Sequence, residues 1–146
     1  MTALLSLFNP IRLSASIAAG FGDTQVSSYI DTQNASTVAF IVEFGEISDT
    51  GTAVITVRSS PDHATWTNIT GLQETVTSTS SNKAVVLQVT SPPARYVDVT
   101  VQRETADVAI DSVLAMVGPK PVSGLIQDAS IAAQAKYSGI VSAARK

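Results

Sequence analysis

The chain has no cysteine, so neither a disulfide nor a thiolate metal site can hold it together, and it is indifferent to the redox state of its compartment. It has a single histidine, His63, which rules out a multi-histidine zinc centre and a catalytic triad with a spare base. Charge is scarce: 14% of residues are charged, against about a quarter in an ordinary soluble protein. The net charge is −3 and no basic cluster exceeds the Arg145-Lys146 pair, so the phosphate-tracking stripe of a nucleic-acid binder is missing. Long apolar runs are missing too, and none reaches the roughly 20 residues of a membrane-spanning helix. The opening MTALLSLFNPIRLSASIAAG lacks a basic start and is interrupted by Pro10. It reads as an N-terminal arm or first strand, with a cleaved signal peptide as the alternative. These absences lead us to expect no cofactor, no nucleic-acid partner and no membrane.

What the chain does have is Val, Ile, Thr and Ser in abundance. Such side chains pack well on a pleated surface, and the β-branched ones lose rotamer freedom in a helix. At 146 residues the chain is long enough for one domain with one core. Ile11, Leu13, Ala15, Ile17 and Ala19 alternate with mostly polar neighbours, the period of a strand with one buried face. Gly20, Gly22 and Asp23 end it, and a strand from Thr24 to Asp31 follows. The chain is organised around residues 36–66. Val38, Phe40, Val42 and Phe44 share a face, while Ala39 and Ile41 make the other face apolar as well, the mark of a central strand. Asp49-Thr50-Gly51 supplies turn chemistry, and Ala53, Ile55 and Val57 resume the alternation, so a hairpin is expected with Gly51 at positive φ. Ser60-Pro61-Asp62-His63-Ala64 makes the next corner. A short strand around Trp66 and Ile69 and another over residues 72–76 follow, then an exposed Ser/Thr loop over residues 77–81. Val85-Leu87-Val89, Val97-Val99-Val101 and Val108-Ile110-Leu114-Met116 mark three further strands.

The expected fold is therefore all-β, an antiparallel β-sandwich, jelly-roll-like with about eight strands. The expected division is residues 1–22 as N-terminal arm or first strand, 23–121 as the sandwich and 122–146 as a C-terminal arm. That last stretch is alanine-rich and predicts a short helix from Asp128 to Tyr137, capped by Asp128 or Ser130. Residues 121–146 carry a balance of +2 against −5 for the rest, a complementarity suited to contact between subunits.

Few residues suggest chemistry. Asp49-Thr50-Gly51 is the triplet of retroviral-type aspartic proteases, which need two such aspartates sharing a proton; here Ser48 precedes it and the triplet reads as a turn. His63 sits in a turn, where a solvent-facing ring is the default. Asp98, Asp107 and Asp111 offer oxygens for calcium but lack the spacing of a calcium loop. Asn34-Ala35-Ser36 and Asn68-Ile69-Thr70 match the glycosylation acceptor pattern, as expected by accident in a chain rich in Ser and Thr. Trp66, Tyr96 and Tyr29 are the rings available to a sugar, although a lone Trp after a corner ordinarily packs under its sheet. No enzyme is expected.

Over residues 24–122, the Asp-Thr-Gly turn before an apolar strand, the Ser-Pro-Asp-x-x-x-Trp corner, the Arg95-Tyr96-Val97 strand start and the Gly118-Pro119-Lys120-Pro121 exit resemble small tailed-bacteriophage virion proteins of the head decoration or cement type. The resemblance implies a β-sandwich on the outside of a capsid, often a homotrimer, whose partners are the major capsid protein and copies of itself. A tail or neck component is the runner-up, and a carbohydrate-binding module the alternative from another class. The termini fall outside the resemblance, and partner contacts are expected there: Leu5, Phe8, Ile11, Leu125, Ile126, Ile131, Tyr137, Ile140, Val141, Arg145 and Lys146.

Overall fold

The structure, a computed structural model, describes residues 8–33 and 35–118 and the backbone of residues 131–138. The strands are β1 (Asn9–Ser14), β2 (Ile17–Gly20), β3 (Asp23–Val26), β4 (Ile30–Asp31), β5 (Thr37–Ile47), β6 (Ala53–Ser60), β7 (Thr67–Val76), β8 (Ala84–Thr90), β9 (Tyr96–Arg103), β10 (Val108–Gly118) and β11 (Ile131–Ser138). They form two sheets. Sheet A has the order β1-β10-β5-β8-β11 with β2 also on β10, and sheet B the order β3-β9-β6-β7 with β4 also on β9.

Because β1 and β2 share one edge of β10, and β3 and β4 one edge of β9, each pair is a single strand with a break. With that reading, β1/β2-β10-β5-β8 facing β3/β4-β9-β6-β7 is the strand order of a jelly roll, as expected. All these pairings are antiparallel, and β11 alone pairs parallel, along β8. The core lies between the sheets: Phe40, Phe44, Ile55, Leu72, Leu87 and Ile110 are among its fully buried side chains.

Three expectations are corrected. Residues 36–66 are not a hairpin, because β5 belongs to sheet A and β6 to sheet B. Both edges of β5 are already taken by β10 and β8, so the chain arches across the core after Ile47. Gly51 is needed there for close approach and not for positive φ: a Cβ on it would stand 2.8 Å from Ile47 Cγ2 and 3.0 Å from the Asp107 carbonyl. Second, residues 67–76 are one strand and not two; its irregularity is a bulge at which Gly71 adopts φ 88°. Third, the helix from Asp128 to Tyr137 is replaced by strand β11 over Ile131–Ser138. Alanine favours helix locally, but the open edge of β8 offers main-chain hydrogen bonds that do not depend on side chains, and those win. Asp128 and Ser130, the expected caps, lie outside the described residues.

One polar group ties the sheets together. Arg103 on β9 is 5% exposed, and its Nη1 donates to the carbonyls of Ala18 on β2 (2.7 Å) and Val108 on β10 (2.8 Å), both strands of sheet A, while Nε and Nη2 fork onto Asp23 of β3. The fork holds the Asp23 carboxyl below the usual carboxylate range, with a further donor from Gln25, and raises Arg103. Gly20 makes room for the guanidinium, since a Cβ there would sit 3.0 Å from Nη2.

Candidate functional site

The alternation that builds the core also decides what each sheet shows outward, and the two sheets differ. In sheet A the outward row Leu114–Ile41–Val86 runs across β10, β5 and β8, and Met116–Ala39 runs beside it. Ile41, Leu114 and Met116 are half-buried. Phe8, Ala39, Ala84 and Val86 are buried without belonging to the core cluster between the sheets. These rows end on Arg12 of β1 and Gln88 of β8, and Thr37, Glu43, Thr90 and Ser112 lie on the same side, so the outward face of sheet A carries an apolar strip across its middle with polar residues around it. In sheet B the outward positions are Thr24, Val26, Val54, Thr56, Arg58, Asn68, Gln73, Thr75, Asp98, Thr100 and Gln102, a mostly polar face on which Val26 and Val54 are the apolar members.

At one end of sheet B the polar face carries a cluster of rings. The β6–β7 corner that begins at Pro61 is fixed by Asp62, whose carboxylate accepts from the backbone N–H groups of Thr65 and Ala64, each at 2.9 Å, and from the Ser60 hydroxyl at 3.0 Å. These donors hold Asp62 below the usual carboxylate range. The turn places His63 in the left-handed region at φ 47°, a costly conformation for a residue with a Cβ. There its imidazole stacks on Tyr29, with centroids 4.9 Å apart and planes 4° apart. Tyr96, paired in register with both Asp31 and Ser60, stands edge-on to both rings at 5.4 Å and 5.0 Å. Tyr29 remains 47% exposed.

Beside the rings Arg95 forks onto Asp31, Nε to Oδ1 at 2.9 Å and Nη2 to Oδ2 at 2.8 Å, and its guanidinium carbon lies 5.1 Å from the Tyr96 centroid. That fork, with the Gln33 N–H, lowers the Asp31 pKa to about 2. An open groove of about 540 Å³ continues from Arg95 between Thr32, Gln33 and the Ser91–Ala94 connection. Trp66 is not part of the cluster. It is half-buried under the Arg58 guanidinium, 5.0 Å from its centroid, and Arg58 in turn forks onto Asp98, which is 2% exposed. Asp98 is therefore engaged by Arg58, and among the described residues no three acidic or histidine side chains converge on a point.

Of the expected contact residues, Phe8 is buried outside the core cluster and Ile11 is partly buried against it. Ile131 and Tyr137 lie on β11, in register with Ala84 and Val89 of β8. Leu5, Leu125, Ile126, Ile140, Val141, Arg145 and Lys146 lie outside the described residues. The ring cluster, by contrast, joins Tyr29 and Tyr96, two of the rings available to a sugar, to His63 in place of the expected Trp66. The available signal was that Tyr29 and Tyr96 each adjoin a strand start and His63 follows a turn-forming aspartate.

No family model matches the chain, and no curated protein matches it. Among solved structures it is similar to the crystal structure of PBSX exported protein XepA, with a TM-score of 0.58 and 11% sequence identity, over 88% of this chain and 43% of that one. The chain spans less than half the length of that neighbour, and at this identity the likeness shows a shared fold.

Proposed function

We propose that this chain is a non-enzymatic structural component of a bacteriophage particle, a capsid decoration or cement protein that lies on the outer capsid surface and acts as copies of itself, a homotrimer. The observation that carries the reading is the apolar strip across the middle of the outward face of sheet A, with Leu114, Ile41 and Met116 only half-buried. Residues 1–7, 119–130 and 139–146 all join the described chain at or beside strands of that same sheet. Interface centres are apolar and poor in charge, and a repeating lattice lets many weak contacts add. Sheet A would therefore face the particle, with the major capsid protein as partner, and sheet B would face solvent. The likeness to an exported protein of phage PBSX supports the phage setting. That the neighbour is an exported protein also favours a second reading, a phage-encoded protein released from the cell.

Particles purified from cells producing the parent phage test this. We expect the chain on the particle in far more copies than a tail or neck ring holds, and Ile41→Gln with Leu114→Gln to abolish attachment while leaving the circular dichroism spectrum unchanged. The control Thr75→Gln, on the exposed face of sheet B, should attach normally. Recovery of the chain in the medium but not on particles would replace this reading with the second one, and a low copy number would place it in the tail or neck.

A further inference from the structure

We propose that the Tyr29–His63–Tyr96 cluster, with Arg95 and Asp31 at its side, is a binding site for a neutral sugar ring of a polysaccharide. The rings lie on the outward face of sheet B, the layer opposite the apolar strip assigned above to attachment, so the two roles do not compete for one surface.

Three observations converge. The first is geometric: two phenol rings and an imidazole gathered within 5.4 Å of one another form an apolar platform, and Tyr29 keeps 47% of its surface open. The C–H face of a pyranose packs on such a platform as another ring would. The second is chemical. Arg95 and Asp31 form an exposed planar pair whose charges cancel, with side chains 45% and 42% accessible. Such a pair presents adjacent N–H donors and carboxylate acceptors to vicinal hydroxyls without favouring an ionic ligand. The third is conformational: His63 is held at φ 47° by the bonds to Asp62, so the backbone carries strain in order to set the imidazole against Tyr29. The groove beyond Arg95, about 540 Å³, gives a chain of sugars room to continue.

Affinity electrophoresis in native gels cast with a soluble glucan, a mannan, a galactan or a chitin-derived glycan tests the proposal. Retardation by at least one of them is expected, weakened about tenfold by Tyr29→Ala and by Tyr96→Ala and kept by Tyr29→Phe, as ring stacking requires. Trp66→Phe, outside the cluster, should migrate like the parent chain. Circular dichroism on each variant separates loss of the site from loss of the fold. Absence of retardation by all the glycans overturns the proposal, as does retardation unchanged in Tyr29→Ala. Loss of particle attachment in Tyr29→Ala without any glycan binding would overturn it as well and assign the rings to a protein contact, whereas loss of attachment in the sheet A variants alone leaves it intact.

Discussion

The two sheets are built from the same alternation and differ in what they do with the outward half of it. Sheet A spends the middle of its outward face on Ile41, Val86, Leu114 and Met116, and sheet B spends most of its own on Thr, Gln, Asn and an Arg58–Asp98 pair, with Val26 and Val54 among them. A sheet with one wet face needs only one apolar set, so a second apolar set on sheet A is surplus to the core of this sandwich. The lesson is that core and contact surface can be read separately: the inward residues make the jelly roll, and the outward ones distinguish a layer suited to covering another protein from a layer suited to water and small polar ligands.

The comparison breaks most severely where the sheets are tied. Arg103→Leu leaves the Ala18 and Val108 carbonyls without their buried donor and Asp23 without its cation. We expect a loss of about 3 kcal/mol, since removing one partner of a largely buried ionic group costs that order. Urea unfolding measures it. A loss below about 1 kcal/mol would mean that hydrophobic contact alone holds the layers.

Much of this fold was legible. The inward residues of β8 and β9 alternate cleanly, and the turn residues between them are of the right kind, so the sandwich and its size follow from local pattern. In β10 the expected face Val108-Ile110-Leu114-Met116 is corrected: a register shift before Ser112 swaps the faces, so Val113 and Ala115 point into the core and Leu114 and Met116 outward. The arch after β5 was not legible as an arch, because Asp49-Thr50-Gly51 suits a hairpin equally well; the deciding fact is that β8 and β10 occupy both edges of β5, and that is set by residues far away in sequence. Strand β11 was misread for a related reason. Ala132, Ala133 and Ala135 report helix propensity, whereas the strand depends on a free edge elsewhere. The sequence offers Tyr29, Tyr96 and Trp66 as rings available to a sugar and His63 as a turn residue, but not their grouping, since the β4–β9 and β6–β9 registers bring Tyr29 and His63 to Tyr96 while Trp66 lies under Arg58.

Acid should sharpen the comparison by loosening sheet B first. Asp23, Asp31 and Asp62 all lie on its edge strands or its corner, and all are held below the usual range, Asp31 at about 2 chiefly by Arg95. A carboxylate with a lowered folded pKa stabilises the fold above the unfolded value of about 4, and that contribution disappears as pH falls toward the folded value. The melting temperature should therefore fall between about pH 4 and pH 2, with a shallower fall in Asp31→Asn. Hydrogen exchange over the same interval should show the Gln33, Ala64 and Thr65 amides losing protection before those of β5 and β8. Equal loss in both sheets would contradict the asymmetry.

The smallest effect tests whether sheet B's outward rings are held in place by design of the backbone. His63→Ala removes the ring and keeps a Cβ at φ 47°, so it loses the stack with Tyr29, worth about 1 kcal/mol. His63→Gly removes the same ring but also the strain, and glycine occupies the left-handed region without a Cβ penalty of about 1 kcal/mol. The glycine variant should therefore be the more stable of the two in urea, by somewhat less than that penalty because glycine gains freedom in the unfolded chain. If alanine and glycine give equal stability, the corner relaxes in solution and Asp62 does not force the imidazole onto Tyr29. If glycine is the more stable, the sequence keeps a histidine where the backbone alone would favour glycine, and the reason for the ring then lies in what it presents on the surface.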